Sequence, residues 1–470
     1  MIDSHPSEFY NKNSMYARGH IAFMAGYSRD LTEGPLARQI LTFSVPLMFS
    51  TILQVLFNMA DVAVIGRFAG AMQLGSVGST TILVTLFTGF LVGLGNGVNV
   101  LVARAFGARS EEDVHHTVHT SAILALIVGL VVMTLGLIFC RPLLALLGTK
   151  DELIDGAELY LNIYLLGMPA LALFNFGNGV LSAVGDTRRP LYYLLIAGII
   201  NVILNLFFVI VCRIDVAGVA LASIISQYIS VALILITLFK SQESYGLHLK
   251  YLRVTGSYAR DVLALGLPSG LQNSIFAIAN LFIQSAVNTF DAIMVAGNSA
   301  ATNADALIYG VMAAFYTACS SFMSQNLGAR KKERVIRSFY ITTLYSFGVG
   351  LGLGLLLFAF GRPFLTLFTT EEAVIQAGMK RLVIMSFSYG ISAFMDNTIA
   401  ASRGLGKTFI PTVMVILGSC VFRVIWVYTV FAHFRTVPSL YLLYAFSWTI
   451  TAVAEIIYFI RCYRRTAACL

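Results

Sequence analysis

Asp61 stands near the end of an apolar run from Ile40 to Ile65, and Thr51, Gln54 and Asn58 precede it at spacings that place all four on one helical face. A run of ~20 residues crosses a bilayer at a rise of about 1.5 Å each. An ionisable group inside such a span costs ~2.5 kcal/mol or more on insertion scales, so it faces a cavity or a partner and is a functional candidate by default. Burial disfavours a bare carboxylate, while a cation or hydrogen-bond donors favour it, so reversible binding of a proton or a hard cation is the chemistry open to Asp61. The other reading is a solvated acid at headgroup level. Further polar stripes follow at helical spacing: Asn175, Asn178 and Ser182, then Ser223, Ser226 and Ser230 with Gln227 alongside. Such residues also bond neighbouring helices, at ~0.6 kcal/mol per contact. Gln54, Asn58, Asn175 and Asn178, with Gln272, Asn273, Asn280 and Gln284 later on, are candidates for lining a polar cavity. Arg423 interrupts another apolar run and is expected to pair with Asp396 or Glu455, which would explain three costly charges together.

Other chemistry finds little support. His115, His116 and His119 cluster in a polar segment, with no HExxH, no Walker A motif and no paired inward acids, so neither a membrane-embedded enzyme nor direct ATP hydrolysis is indicated. No cofactor and no metal are expected, except a sodium ion at Asp61. Six cysteines show neither CxxC nor Cys/His spacing, so free thiols are expected.

The elements that position these residues are membrane helices. Of 470 residues, 58% are hydrophobic and only 11% charged, outside the soluble globular range. The formal charge of +8 is scattered through short segments between apolar runs, which argues for topology signals and against nucleic acid. Apolar runs centre near residues 52, 90, 128, 170, 200 and 228, and near 275, 313, 350, 390, 420 and 450, giving twelve helices and an all-α membrane protein. Lys and Arg concentrate on one side, at Arg104, Arg109, Arg188, Arg189, Lys240, Arg253, Arg330, Lys331, Lys332, Arg403 and Arg461, so both termini are expected in the cytoplasm. No signal peptide is evident.

The two halves repeat each other. Gly107-Ala108-Arg109 returns as Gly328-Ala329-Arg330, and Arg141-Pro142 as Arg362-Pro363; Gly185, Thr187 and Pro190 return as Gly406, Thr408 and Pro411, all at one constant offset. Six helices per copy is even, so the copies insert in parallel, related by a pseudo-twofold axis along the membrane normal with a cleft between them. The expected organisation is a polar cytoplasmic head over 1–35, an N-terminal six-helix bundle over 36–239, a cytoplasmic linker over 240–260, a C-terminal six-helix bundle over 261–461 and a tail over 462–470.

Pro46, the run Ala60-Asp61-Val62-Ala63-Val64-Ile65-Gly66-Arg67, Gly93-Leu94-Gly95-Asn96-Gly97, Ala103-Arg104-Ala105-Phe106-Gly107-Ala108 and Gly185-Asp186-Thr187-Arg188-Arg189-Pro190 together resemble the multidrug and toxic compound extrusion (MATE) transporters. The resemblance implies export of bulky, often cationic and aromatic compounds in exchange for protons or sodium ions. In the branch with its ion site in the first bundle, the cation-coupling roles would map to Asp61, Asn201, Asn205 and Ser223. Asn205 stands where that pattern has a second acid, leaving one carboxylate. A second branch places acids on the seventh and tenth helices; here the seventh has none beyond its entry, and Asp396 on the tenth corresponds only loosely. The repeat pairs Asp396 with Asn175.

The function expected is a secondary antiporter exporting a small-molecule drug or toxic metabolite by alternating access. The competing classes are a flippase for a lipid-linked substrate, which would want a more cationic cleft, and a membrane-embedded enzyme. A monomer in a bacterial inner membrane, in contact with the lipid bilayer, is expected, with an intracellular eukaryotic membrane as the other location.

Overall fold

The computed structural model describes residues 29–468, so the head before residue 29 and the last two residues, with Cys469, lie outside the described residues. Regular structure among these is entirely helical. The first bundle comprises α1 (Leu36–Ala69), α2 (Ala71–Gly107), α3 (Glu111–Leu146), α4 (Asp151–Leu165), α5 (Met168–Ala183), α6 (Arg188–Val211) and α7 (Asp215–Lys240). The second comprises α8 (Gly256–Val287), α9 (Ala292–Gly328), α10 (Lys332–Thr366), α11 (Glu372–Gly404), α12 (Phe409–Phe434) and α13 (Val437–Ala468).

Ten of these helices are singly long and apolar enough to cross a membrane, and α4 with α5, bent by 46°, forms one more span. The bend falls where Pro169 removes a backbone N–H just after Gly167, which stops the α4 ladder from continuing. The twelfth span is α11. Asp396, Asn397 and a series of serines dilute its apolar stretch, and α9, α10 and α13 surround it in place of lipid. Two six-helix bundles therefore stand side by side. Repeat-related prolines sit inside corresponding helices, Pro46 in α1 with Pro268 in α8, and Pro142 in α3 with Pro363 in α10.

Contact between the bundles is made by α2 on α8 and α9 and by α1 on α9. Small residues permit it. A Cβ at Gly97 would lie 2.7 Å from the Gly266 backbone nitrogen, so the α2 and α8 backbones touch. At the loop end, repeat-related Gly107 and Gly328 do this reciprocally: a Cβ on the first would strike the Gln325 carbonyl oxygen, and on the second that of Arg104. Arg109 and Arg330, two residues past these glycines, both adopt left-handed backbone, at φ 55° and 56°. The duplication thus extends to backbone conformation.

From this sealed end the interface climbs as far as Ser274, whose hydroxyl donates to Leu86 O over 3.1 Å, and as far as Thr51 against Gly310. Gln54 and Asn58 are exposed.

Candidate functional site

Gly198 of α6 packs against the Phe57 ring so closely that any Cβ would collide with it. Asn201 and Asn205 follow on the same face, three and seven residues on, and this brings their amides to α1 beside Asp61. The Asn205 amide donates to the Asp61 carboxylate and, over 3.3 Å, to Asn201 Oδ1. From α7, the Ser223 hydroxyl reaches the same carboxylate. All four residues named for cation coupling meet here: Asn201, Asn205 and Ser223 are buried and Asp61 is half-buried. Both α1 and α6 change to a π-helical turn just past these positions, over Ile65–Ala69 and Phe207–Val211. Such turns shift side-chain register and recur at functional positions.

Every donor to Asp61 is neutral. Tyr160 and Tyr164 of α4, with ring centroids 5.9 Å apart, lie close enough to feel its charge, yet among the described residues no guanidinium or ammonium does. Asn205 Oδ1 is buried without a donor of its own. The pocket therefore offers one carboxylate, amide oxygens and a hydroxyl, a hard-oxygen set suited to a proton or a sodium ion. Among the described residues no group of three or more His, Cys, Asp or Glu could hold a metal, and five cysteines are free.

Lower in the cleft lies a cavity of about 200 Å³. Gln54, Asn175 and Asn178 line it with Thr51, Asn96 and, from α9, Thr317. Asn99 forms its floor, donating to Gly179 O over 3.1 Å and accepting from the Ser321 hydroxyl across the seam at 3.0 Å. No lining residue is charged. Gln54 and Asp61 are seven residues apart on one face, so the cavity and the acid are separated by ~10 Å along α1.

The remaining candidates are not part of the cavity lining. Asn58 is exposed on α1. Gln272 is buried and accepts from Thr412 at 3.4 Å, while Asn273 crosses the seam to donate to Gly89 O over 3.0 Å, so both join helices. Asn280 is exposed, as is Gln284, which donates to Asn288 over 2.9 Å. Of the α8 candidates, Gln272 and Asn273 thus join helices, since a polar side chain at a helix seam satisfies a neighbour as readily as a ligand, while Asn280 and Gln284 stay exposed.

Arg423 is enclosed chiefly by aromatic rings. It is 2% exposed, but among the described residues no carboxylate lies within ion-pair distance of it. Its guanidinium lies over the rings of Tyr444 at 4.6 Å and of Phe276 and Trp448 at 5.7 Å, and its Nε donates to Ser447 over 3.3 Å. Cation–π contacts surround the guanidinium in place of a contact ion pair, and its charge still acts on Asp396. Asp396 lies beside Tyr316 and feels the charges of Arg423 and Arg403, and the charge of Arg403 also acts on Glu455.

The sequence reading passes over a closer pair. Arg381 of α11 donates to Asp305 of α9 over 2.5 Å and to Thr302 over 2.6 Å, and Tyr389 donates to the other oxygen of Asp305 over 2.5 Å. Arg381 also stacks over Tyr441, 5.3 Å away, whose hydroxyl donates to Asn298 over 2.6 Å. Both residues interrupt apolar runs, so the rule that singles out Asp61 would have found them.

A family model, MatE, matches the chain twice, over residues 46–207 and 268–429, and so covers both halves of the repeat. A probable multidrug resistance protein of Bacillus subtilis, YpnP, is 29% identical over 392 residues, covering 80% of this chain and 85% of its own. An FAD transporter of Shewanella oneidensis is 25% identical, covering 77% and 80%. A solved multidrug resistance MATE transporter in an outward-facing conformation superposes with a TM-score of 0.86 at 23% identity, covering 93% of this chain and 98% of that one. With the family model spanning most of both bundles, the chain belongs to the MATE family and is a membrane transporter, not an enzyme.

Proposed function

We propose that this protein is a secondary multidrug exporter in which a proton or sodium ion taken up at Asp61 drives efflux of bulky cationic or aromatic compounds from the cell. One observation carries the reading: a lone carboxylate inside the first bundle, held only by neutral donors, beside a cleft with a polar, uncharged cavity. Such an acid has no resident counter-ion, so a mobile cation can fill that role. Exchange requires the ion and the drug to favour opposite states of the transporter, because a ligand shifts a conformational equilibrium only through different affinities for its states.

The sealed end carries Arg104, Arg109, Arg330 and Lys331, the side that the positive-inside rule assigns to the cytoplasm. The conformation is then outward-open in the plasma membrane, and rocking of the bundles about the seam would open the other face. The multidrug names of the relatives support the substrate class. A flippase for a pyrophosphate-linked lipid is disfavoured, since a phosphate cluster calls for cations that this cavity lining lacks.

The test is efflux of a fluorescent cationic dye from cells expressing the protein, with proton and sodium gradients collapsed separately. Wild type is expected to need one of the two, and Asp61→Asn to lose gradient-driven efflux at normal expression. Undiminished efflux by Asp61→Asn would refute the assignment.

A further inference from the structure

The chain enters α1 by an unusual route. Residues 29–34 have no regular structure, yet Leu31 is 2% exposed and Thr32 5%. Leu31 packs with Phe43 of α1 and with Phe315 and Phe322 of α9. The segment's backbone is held mostly by side chains of the opposite bundle. Gln325 accepts from the Leu31 N–H at 3.0 Å, and Asn326 donates to Leu31 O over 3.2 Å. Lys331 donates to Thr32 O over 2.9 Å. Arg334 alone reaches three carbonyls, of Leu31 at 3.1 Å, Glu33 at 3.3 Å and Gly34 at 2.9 Å.

The segment grips the first bundle as well. The Arg29 N–H donates to Val184 O over 2.9 Å. Gln325, while accepting from Leu31, donates to Ala183 O over 2.5 Å, so a single side chain ties α9 to the segment and to the end of α5. At its outer edge burial pushes the Asp30 carboxyl up, but hydrogen bonds from Thr32 and the charges of Lys331 and Arg109 hold it below its ordinary value.

We propose that residues 29–34 are a strap latching the two bundles at the sealed face, released whenever that face opens. The inference rests on the alternating-access reading. The face cannot part while Gln325 holds both Leu31 and Ala183 and while Arg334 caps carbonyls of a segment joined covalently to α1. Burying a backbone polar group without its partner costs about 1–3 kcal/mol, so the latch breaks as a unit and biases the equilibrium toward the sealed state. The lead-in to α8 makes the pseudo-symmetric contact on the first bundle. There the His248 N–H donates to His119 Nε2 over 3.0 Å and the Thr255 N–H to Thr120 over 3.3 Å, in the third turn of α3, where Arg334 stands in the first turn of α10.

The experiment is a pulsed spin-label distance measurement in lipid nanodiscs, with labels at Glu112→Cys and Glu333→Cys across the sealed face and the native cysteines replaced. Wild type and Leu31→Met should give mainly the short distance. Leu31→Ala and Arg334→Gln should raise the long-distance population on the order of tenfold. Arg334→Gln leaves the apolar core intact and carries the test if Leu31→Ala fails to fold. An unchanged distance distribution in Arg334→Gln, with or without a lower unfolding temperature, would mean that the segment is ordinary packing and would overturn the strap. A shifted distribution in a protein that exports no dye would support the strap while defeating the exporter reading.

Discussion

The two bundles share an ancestor, a fold and their prolines, yet they handle buried charge in opposite ways. In the first bundle Asp61 is held by Asn205 and Ser223, neutral groups that stabilise the carboxylate without cancelling it. In the second, Asp305 is pinned by Arg381 and Tyr389, while Asp396 feels the charges of Arg423 and Arg403 and Glu455 that of Arg403, with no contact ion pair for either among the described residues. A carboxylate with a fixed guanidinium partner has little to gain from a mobile cation. One with neutral donors does. Duplication supplied two scaffolds, and the ion exchange proposed at Asp61 would set the first apart from the clamp that Asp305 and Arg381 make in the second.

The largest expected effect comes from undoing the rigid side. Arg381→Met leaves Asp305 buried beside Thr302 and Tyr389 with no cation, and losing one partner of a buried pair costs ~3–5 kcal/mol. Thermal unfolding of the purified protein should shift down sharply. Asp305→Asn combined with Arg381→Met removes both charges and should recover most of that loss. If the single variant unfolds like wild type, the pair is not a structural clamp, and the contrast between the bundles fails on the C-terminal side.

A smaller effect follows from making the first bundle more acidic. Asn205→Asp would set a second carboxylate against Asp61, where two like charges in a low-dielectric site cannot both stay ionised without a cation. The ion-free protein is expected to lose ~1–3 kcal/mol, the equivalent of one or two pKa units on the pair. Sodium or acid should restore it. Titrating the unfolding temperature against sodium at fixed pH, for Asn205→Asp beside wild type, checks this. The same loss with and without sodium or acid would show that position 205 does not share the ion site.

Much of this was legible in the sequence. Asp61 stands out as an acid in an apolar run, the resemblance to the MATE family adds Asn201, Asn205 and Ser223 to it, and the repeat of Gly107 as Gly328 announced two bundles. What escaped is what depends on which helix faces which. The α8 amides Gln272 and Asn273 have the same spacing as cavity residues, and only the α2 contact turns Asn273 to Gly89. Arg423 looked like half of an ion pair because rings from α8 and α13 cannot be seen to converge on it. The π-helical turns after Asp61 and Asn205 leave no mark in composition at all. Charge neutralisation and seam packing are properties of pairs of helices, and a single sequence lists only their members.

The smallest expected effect is the most telling. Asp61→Asn keeps the shape of the side chain, and a neutral amide at position 61 can still bond to Asn205 and Ser223. Because Asp61 has no buried cation to abandon, its neutralisation strands nothing, unlike that of Arg381. Relieving an uncompensated carboxylate should even offset the weaker hydrogen bonds, so the stability change is expected to stay within about 1 kcal/mol of zero. A residue kept for stability would show the reverse, a large loss on unfolding with transport impaired only in proportion. An unfolding temperature near that of wild type, in a variant that no longer couples efflux to its gradient, would place the role of Asp61 in the cycle and not in the fold. A drop as large as that of Arg381→Met would make the two bundles alike and remove the reason for assigning ion exchange to the first.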